Sequence, residues 1–358
     1  MQKFISATEV AEKWNLSIRR VQIFCNEGRI PGAYKQSGVW LIPANATKPE
    51  KIKSGVKTET PKKSIKVVSL FSGCGGMDLG FEGGFPVLKV SVNKNINKDW
   101  KVRSIDKNWV RLPRTRFQTV FANDIRPDAK TAWINYFGKR GTPDSSYYLD
   151  SIVDLVKLYK ENKVNVFPTG IDVVTGGFPC QDFSVAGKRQ GFNSSKSHNG
   201  KEITDEPSVE SRGQLYMWMR EVISIVKPKV FVAENVKGLT NLADVKEIIE
   251  HDFSTVCDGG YIVIPARVLL AAEYGVPQSR ERVIFLGFRK SALTDEALTA
   301  LSQKVIPAEY DPYPVKTHSN QPSGELLPFV TTKQCFWGLQ EPEVTSDVSQ
   351  KKYSKAKY

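Results

Sequence analysis

The sequence has no disulfide or zinc framework. Its five cysteines, Cys25, Cys74, Cys180, Cys257 and Cys335, are odd in number and scattered, with no C-x-x-C spacing. That excludes a disulfide-stapled secreted scaffold and a structural zinc site, and it fits a reducing compartment; no metal is expected. No apolar run is long enough to span a bilayer, and the first residues carry no apolar signal-peptide core. Neither membrane insertion nor secretion is therefore expected, and the expected location is cytoplasmic. Basic amphipathic helices and lipidation motifs are missing too, which argues against a membrane surface as partner. A complete G-x-G-x-x-G fingerprint is also absent. In Gly73-Cys74-Gly75-Gly76-Met77-Asp78 an aspartate takes the place of the third glycine, which disfavours a nicotinamide dinucleotide.

The 358 residues, 40% of them hydrophobic, leave room for a full α/β domain and a smaller companion. The net charge of +13 points to a polyanionic partner, and nucleic acid is the expected one.

Residues 1–47 read as a unit of their own. Ser6-x-x-Glu9 is a capping box opening a helix with Val10, Ala11 and Trp14 on one face. Asn15-Leu16 form a turn, and Ser17 caps a second helix that buries Val21 and Phe24 until Gly28 stops it. Arg19, Arg20 and Gln22 are then left facing outward. This is helix-turn-helix spacing. With the hairpin-like Gly38 to Ile42 the unit resembles the small winged helices of the excisionase and MerR type, which implies a DNA-binding second helix; a protein-docking module is the alternative. Residues 48–64, rich in Lys, Thr, Ser and Pro, read as a flexible basic linker.

From Lys66 onward, strand, glycine turn and helix repeat. Val67 to Phe71 is a strand, Ser72 to Gly76 a tight turn, and Met77 to Phe81 the start of a helix. Further strands are predicted at Val120 to Ala122, Ile171 to Thr175, Val230 to Ala233, Tyr261 to Leu269 and Arg282 to Phe288. The alternation predicts a doubly wound, mostly parallel α/β sheet that binds ligands at the carboxyl ends of its strands. Asn123-Asp124, at one such end, could accept hydrogen bonds from ribose hydroxyls, as a nucleoside cofactor without pyrophosphate would require. Beyond Gly176-Gly177, Pro179 presents Cys180 on a loop, as a candidate nucleophile or as a small apolar side chain in a turn.

Four segments, Phe71-Ser72-Gly73-Cys74-Gly75-Gly76-Met77-Asp78-Leu79-Gly80-Phe81, Gly177-Phe178-Pro179-Cys180-Gln181-x-Phe183-Ser184, Glu234-Asn235-Val236-x-Gly238-Leu239 and Gln278-x-Arg280-Glu281-Arg282, stand in one order over residues 65–290. In that order and spacing they resemble the cytosine-C5 DNA methyltransferases. The resemblance implies a Rossmann-like methyltransferase domain using S-adenosyl-L-methionine on double-stranded DNA, of the kind paired with restriction systems. It assigns Cys180 as the nucleophile that adds to cytosine C6, because C5 is otherwise too weak a nucleophile to take a methyl group. Glu234 is the partner on N3 and the exocyclic amine; Arg282 and Arg280 steady the base or the loop. For the cofactor it implies Phe71, Ser72, Gly73, Gly75, Gly76 and Pro179, with Asp124 on the ribose and Asp150 on the adenine amine. Gln181, Ser184 and Arg212 would lie on or just after the loop that approaches DNA, and the target base would be flipped out of the duplex.

Two stretches depart from that pattern, one between Pro86 and Phe117 and one from Ser194 to Pro207; both read as surface insertions. Residues 291–358 look like the family's spacer and a tail leading toward a target-recognition region that is not found here. The expectation is accordingly a catalytic chain that works with a separate polypeptide carrying that region and the closing motifs. A tRNA cytosine methyltransferase and a truncated, non-catalytic DNA-binding regulator are the alternatives.

Overall fold

The computed structural model describes residues 4–26, 30–36, 39–49, 63–179, 215–241 and 244–336. It divides into two compact units, residues 1–62 and 63–358.

In the first unit, helices Ala7–Trp14 and Ile18–Asn26 pack with a three-stranded antiparallel sheet of Phe4–Ser6, Val39–Pro43 and Tyr34–Gln36, in that spatial order. The first helix begins where the sequence says it should. Ser6 Oγ accepts the Glu9 N–H at 3.3 Å, while the Glu9 carboxylate accepts the Ser6 N–H at 2.7 Å, which satisfies two otherwise orphan donors. Asn15 ends it in the left-handed region at φ 51°. Val10, Trp14, Val21, Phe24 and Ile42 are buried together, each contributing about 1.5–3 kcal/mol through its apolar area.

The second unit is built on a seven-stranded sheet. Its strands are β1 (Ile65–Leu70), β2 (Phe117–Asn123), β3 (Tyr147–Tyr148), β4 (Val173–Gly176), β5 (Val230–Val236), β6 (Tyr261–Leu270) and β7 (Glu281–Arg289). Their spatial order is β6-β7-β5-β4-β1-β2-β3. The first five run parallel to their neighbours, whereas β7 pairs antiparallel with both β5 and β6. Helices α1 (Gly76–Glu82), α2 (Pro127–Phe137), α3 (Ile152–Lys160), α4 (Leu215–Val226) and α5 (Val245–Ser254) follow β1 to β5 in turn; α6 (Asp295–Leu301) follows β7. The chain leaves β1 toward β3 and returns to β4 on the other side of β1, so the order reverses between β1 and β4. Such a switch point opens a crevice at the carboxyl ends of the strands. The core is continuous across the sheet: Val68, Leu70, Phe121, Val174, Phe231 and Phe285 pack on Val153, Val156, Met219, Ile223, Ile249 and Phe253 of the helices. Among the described residues no helix is long and apolar enough to cross a membrane.

The structure corrects three expectations. Phe71 is outside β1, at φ +53°, because the chain already turns there toward α1. Glu234 lies within its strand, since pairing with β7 carries β5 on to Val236. The stretch after Pro86, expected as a surface insertion, has a small sheet and buried side chains of its own. Its strands Pro86–Leu88, Trp109–Arg111 and Arg103–Ser104 form a small antiparallel sheet, and Leu88, Val92, Asn93 and Val110 are buried.

Candidate active site

The turn after β1 is fixed from three directions. Ser72 Oγ donates to Ser69 O at 2.9 Å and accepts the Asn123 N–H at 3.2 Å, tying the ends of β1 and β2 together. Asp124 Oδ2 accepts the Gly73 N–H at 2.9 Å, and its Oδ1 accepts the Arg126 N–H at 3.1 Å. From β3, the Tyr147 hydroxyl donates to Gly73 O at 3.0 Å. Gly75, at φ +88°, lies against the rings of Trp133 and Phe137, where a Cβ would come within 2.5 Å of Phe137 Cε2. By contrast, a Cβ on Gly73 or Gly76 would meet nothing within 4 Å, so the turn presents bare backbone to open space.

A cavity of about 270 Å³ lies at the carboxyl ends of the strands, lined by residues of this region that include Phe71, Asp124, Ile125, Ile152, Pro179 and Leu215. Of the residues expected to meet a cofactor, Phe71, Asp124 and Pro179 line it. Ser72, Gly73, Gly75 and Gly76 form the turn that follows Phe71 and are not among the cavity's lining residues. Asp150 is not in the wall: its side chain is exposed, and its carbonyl accepts Asn123 Nδ2 at 2.8 Å. Its neighbours Ser151 and Ile152 line the cavity instead. The sequence reading missed Ile125, Ser151, Ile152 and Leu215; the available signal was their place directly after strand ends or at a helix start, where an α/β sheet binds ligands. The set fits an adenosyl group. Apolar side chains can hold a flat base, and each Asp124 oxygen keeps a lone pair for a sugar hydroxyl.

Asp78, in α1, is buried with its Oδ2 on Trp133 Nε1 at 2.7 Å, while Oδ1 has no partner among the described residues. Burial raises its pKa from 3.8 to about 6, against the opposing pull of Ser69 and Trp133. Because the folded value lies above the unfolded one, this group's stabilising contribution is complete below pH 3.8 and is lost as pH rises through about 6. Unfolding in urea at pH 4 and pH 7 should show a loss of about 2–3 kcal/mol from this group, and Asp78→Asn should flatten that slope.

The second half of the site is set by strand register. On β5 and β7, Val236 lies opposite Arg282 and Glu234 opposite Ile284. Arg282 Nε is 2.9 Å from Glu234 Oε1, and Arg280 Nη2 is 3.6 Å from the same oxygen. The other oxygen faces Gly177, where a Cβ would stand 3.3 Å from Glu234 Oε2. Next to it, buried Asn235 donates through Nδ2 to Phe178 O at 3.3 Å. Gly177 and Phe178 are thus held to β5 around Glu234, three and two residues before Cys180. The Glu234 side chain is 22% exposed and that of Arg280 47% exposed, so the cluster is open on one side. Cys180, Gln181, Ser184 and Arg212, together with the expected insertion 194–207, lie outside the described residues. In the first unit, Arg19, Arg20 and Gln22 are exposed on the second helix, with the Arg20 guanidinium 4.9 Å from the Phe24 ring centre. No metal-holding group of side chains exists among the described residues.

Residues 65–357 match the model of the C-5 cytosine-specific DNA methylases. Similar proteins include Type II methyltransferase M.BspRI of Lysinibacillus sphaericus, 33% identical over 77% of this chain and 52% of that protein. Type II methyltransferase M.NgoFVII of Neisseria gonorrhoeae is 30% identical over 77% of this chain and 54% of its own length. M.BsuRI of Bacillus subtilis is 30% identical over 79% and 53% respectively. The chain thus spans about half the length of these relatives. With a family model covering most of its length, this chain belongs to the C-5 cytosine-specific DNA methylase family.

Proposed function

We propose that the chain transfers a methyl group from S-adenosylmethionine to C5 of cytosine in duplex DNA, as a DNA (cytosine-5-)-methyltransferase of a restriction-modification system in the cytoplasm. The observation that carries this reading is the Glu234, Arg280 and Arg282 cluster, held against the Gly177-Phe178 segment that leads into Cys180.

Cys180 as thiolate adds to C6 of the flipped base, and the C5=C6 electrons move toward N3. Glu234 Oε2, on the side of the Cys180 segment, meets N3 and the exocyclic amine and holds the proton that N3 requires as charge arrives. Arg282 and Arg280 fix Glu234 through its other oxygen and face the base carbonyl with charge-assisted donors. S-adenosylmethionine, which Phe71, the 72–76 turn and Asp124 would hold, would supply the electrophilic methyl group; once C5 carries it, the C4=N3 bond is restored and the N3 proton returns to Glu234. The C5 proton then passes to a solvent base, the C–H electrons restore C5=C6, and Cys180 leaves as thiolate.

Asp124→Ala is expected to raise KM for S-adenosylmethionine about 10- to 100-fold with a smaller change in kcat. It removes two backbone partners and the sugar contact, each about 1.5–3 kcal/mol when the acceptor is charged.

Exposed Arg19, Arg20 and Gln22 support a DNA-binding role for the first unit, joined through residues 48–64 to a catalytic region of residues 65–290. The test is transfer of a tritiated methyl group to duplex DNA, to single-stranded DNA and to tRNA, with and without the product of the adjacent open reading frame. 5-Methyldeoxycytidine as labelled product supports the reading. Label confined to tRNA overturns it, and no label in any mixture favours a non-catalytic regulator.

A further inference from the structure

The segment from Pro86 to Arg116 carries nine lysines and arginines against two aspartates, a net +7 in a chain whose total is +13. All nine side chains are exposed. Among the described residues none of the nine takes part in an ion pair; those that form lie elsewhere. One of the two acids is already engaged, because Asp106 Oδ1 accepts the backbone N–H groups of Asn108 and Trp109 at 2.8 and 2.9 Å. More than half of the chain's excess charge is therefore gathered, unneutralised, in 31 residues.

A solvated loop would not need rigid anchoring, and this segment has it. Asn93, buried, donates through Nδ2 to Thr317 O at 2.9 Å and Glu325 O at 2.6 Å. His318, also buried, joins Val90 O at 2.9 Å through Nε2 and Thr317 Oγ1 at 2.8 Å through Nδ1. Ser91 O sits where a Cβ on Gly275 would come within 2.5 Å, a contact that only glycine, here at φ +80°, accepts. Gly275 belongs to the connection between β6 and β7, in which the Ala271 N–H donates to Arg280 O at 2.8 Å. The same connection delivers Arg280 and Arg282 to Glu234. The basic segment is thus locked to the backbone that carries the catalytic arginines.

We propose that residues 86–116 form a second contact surface for the DNA backbone, with lysines 94, 98 and 101 of the loop before Arg103–Ser104 meeting phosphates beside the target base. This rests on duplex DNA being the substrate. Phosphate contacts position a duplex without reading its sequence, which is what an anchored segment of net positive charge offers.

The experiment compares the full chain with the triple variant Lys94→Gln, Lys98→Gln, Lys101→Gln and with the matching triple arginine variant. It reads duplex binding by fluorescence anisotropy across a salt series, together with cofactor binding and the unfolding midpoint. The glutamine variant should bind duplex about 10- to 100-fold more weakly, and the slope of log Kd against log salt should shrink by about 3, near 0.9 per lost phosphate contact. Cofactor binding and unfolding should not change, and the arginine variant should match the parent. Equal affinity and slope in parent and glutamine variant overturn the inference, as does loss of contact with a protein partner alone. Binding is read independently of turnover. A parent that binds duplex but never methylates it would therefore sink the catalytic reading and leave this surface standing if the slope still falls.

Discussion

Replacing Glu234 by glutamine is expected to lower methyl transfer about 100- to 10,000-fold, the range over which a positioned proton-transfer group acts. Glutamine keeps the shape, so Gly177, Phe178 and the strand register should stay in place. What it loses is the capacity to hold the N3 proton, along with the negative charge that Arg282 approaches at 2.9 Å and Arg280 at 3.6 Å. The effect should therefore fall on kcat, with KM for S-adenosylmethionine close to that of the parent, because Phe71 and Asp124 line a cavity that does not include Glu234. Steady-state kinetics with both substrates varied checks this. A variant that retains more than a tenth of parental kcat would mean that Glu234 serves only as a counter-ion for the two arginines.

Gly75→Ala is expected to destabilise the second unit by about 2–5 kcal/mol. An L-residue in the left-handed region costs about 1–2 kcal/mol, and forcing atoms into a filled core costs about 1–3 more. Here the added carbon would meet Phe137 Cε2 at 2.5 Å and Trp133 Cδ1 at 2.7 Å, two rings stacked at 4.6 Å between centroids. Neither ring can retreat easily, since Trp133 is also held by Asp78 and Tyr147. Chemical denaturation measures the loss. Gly76→Ala is the control, with open space around the new carbon and a much smaller expected effect.

Local rules made parts of this chain readable. The Ser6 and Glu9 capping box and the runs that became β1, β2, β4, β5, β6 and β7 are written in residue types and spacing. Other features depend on partners far away in sequence. β3 is only two residues long, and the sheet edge rather than an apolar run defines it. The stretch after Pro86 reads as a surface insertion because it departs from the motif pattern on either side of it. What anchors it are Asn93 and His318, whose partners are more than 200 residues distant. Motif order named Glu234, Arg280 and Arg282; their convergence on one carboxylate oxygen comes from β5 and β7 register. Asp150 was named for the adenine, yet the wall at that point is Ser151 and Ile152, because the Asp150 carbonyl turns inward to Asn123 while its side chain stays in solvent.

The most direct test of the central claim is covalent trapping with duplex DNA containing 5-fluorocytosine in the presence of S-adenosylmethionine. The fluorine cannot leave as a proton does, so the final elimination is blocked and the sulfur remains on C6. A denaturant-resistant adduct mapped to Cys180 is expected, absent from Cys180→Ser. An adduct that persists in Cys180→Ser, or no adduct in any mixture that binds both cofactor and duplex, would contradict it.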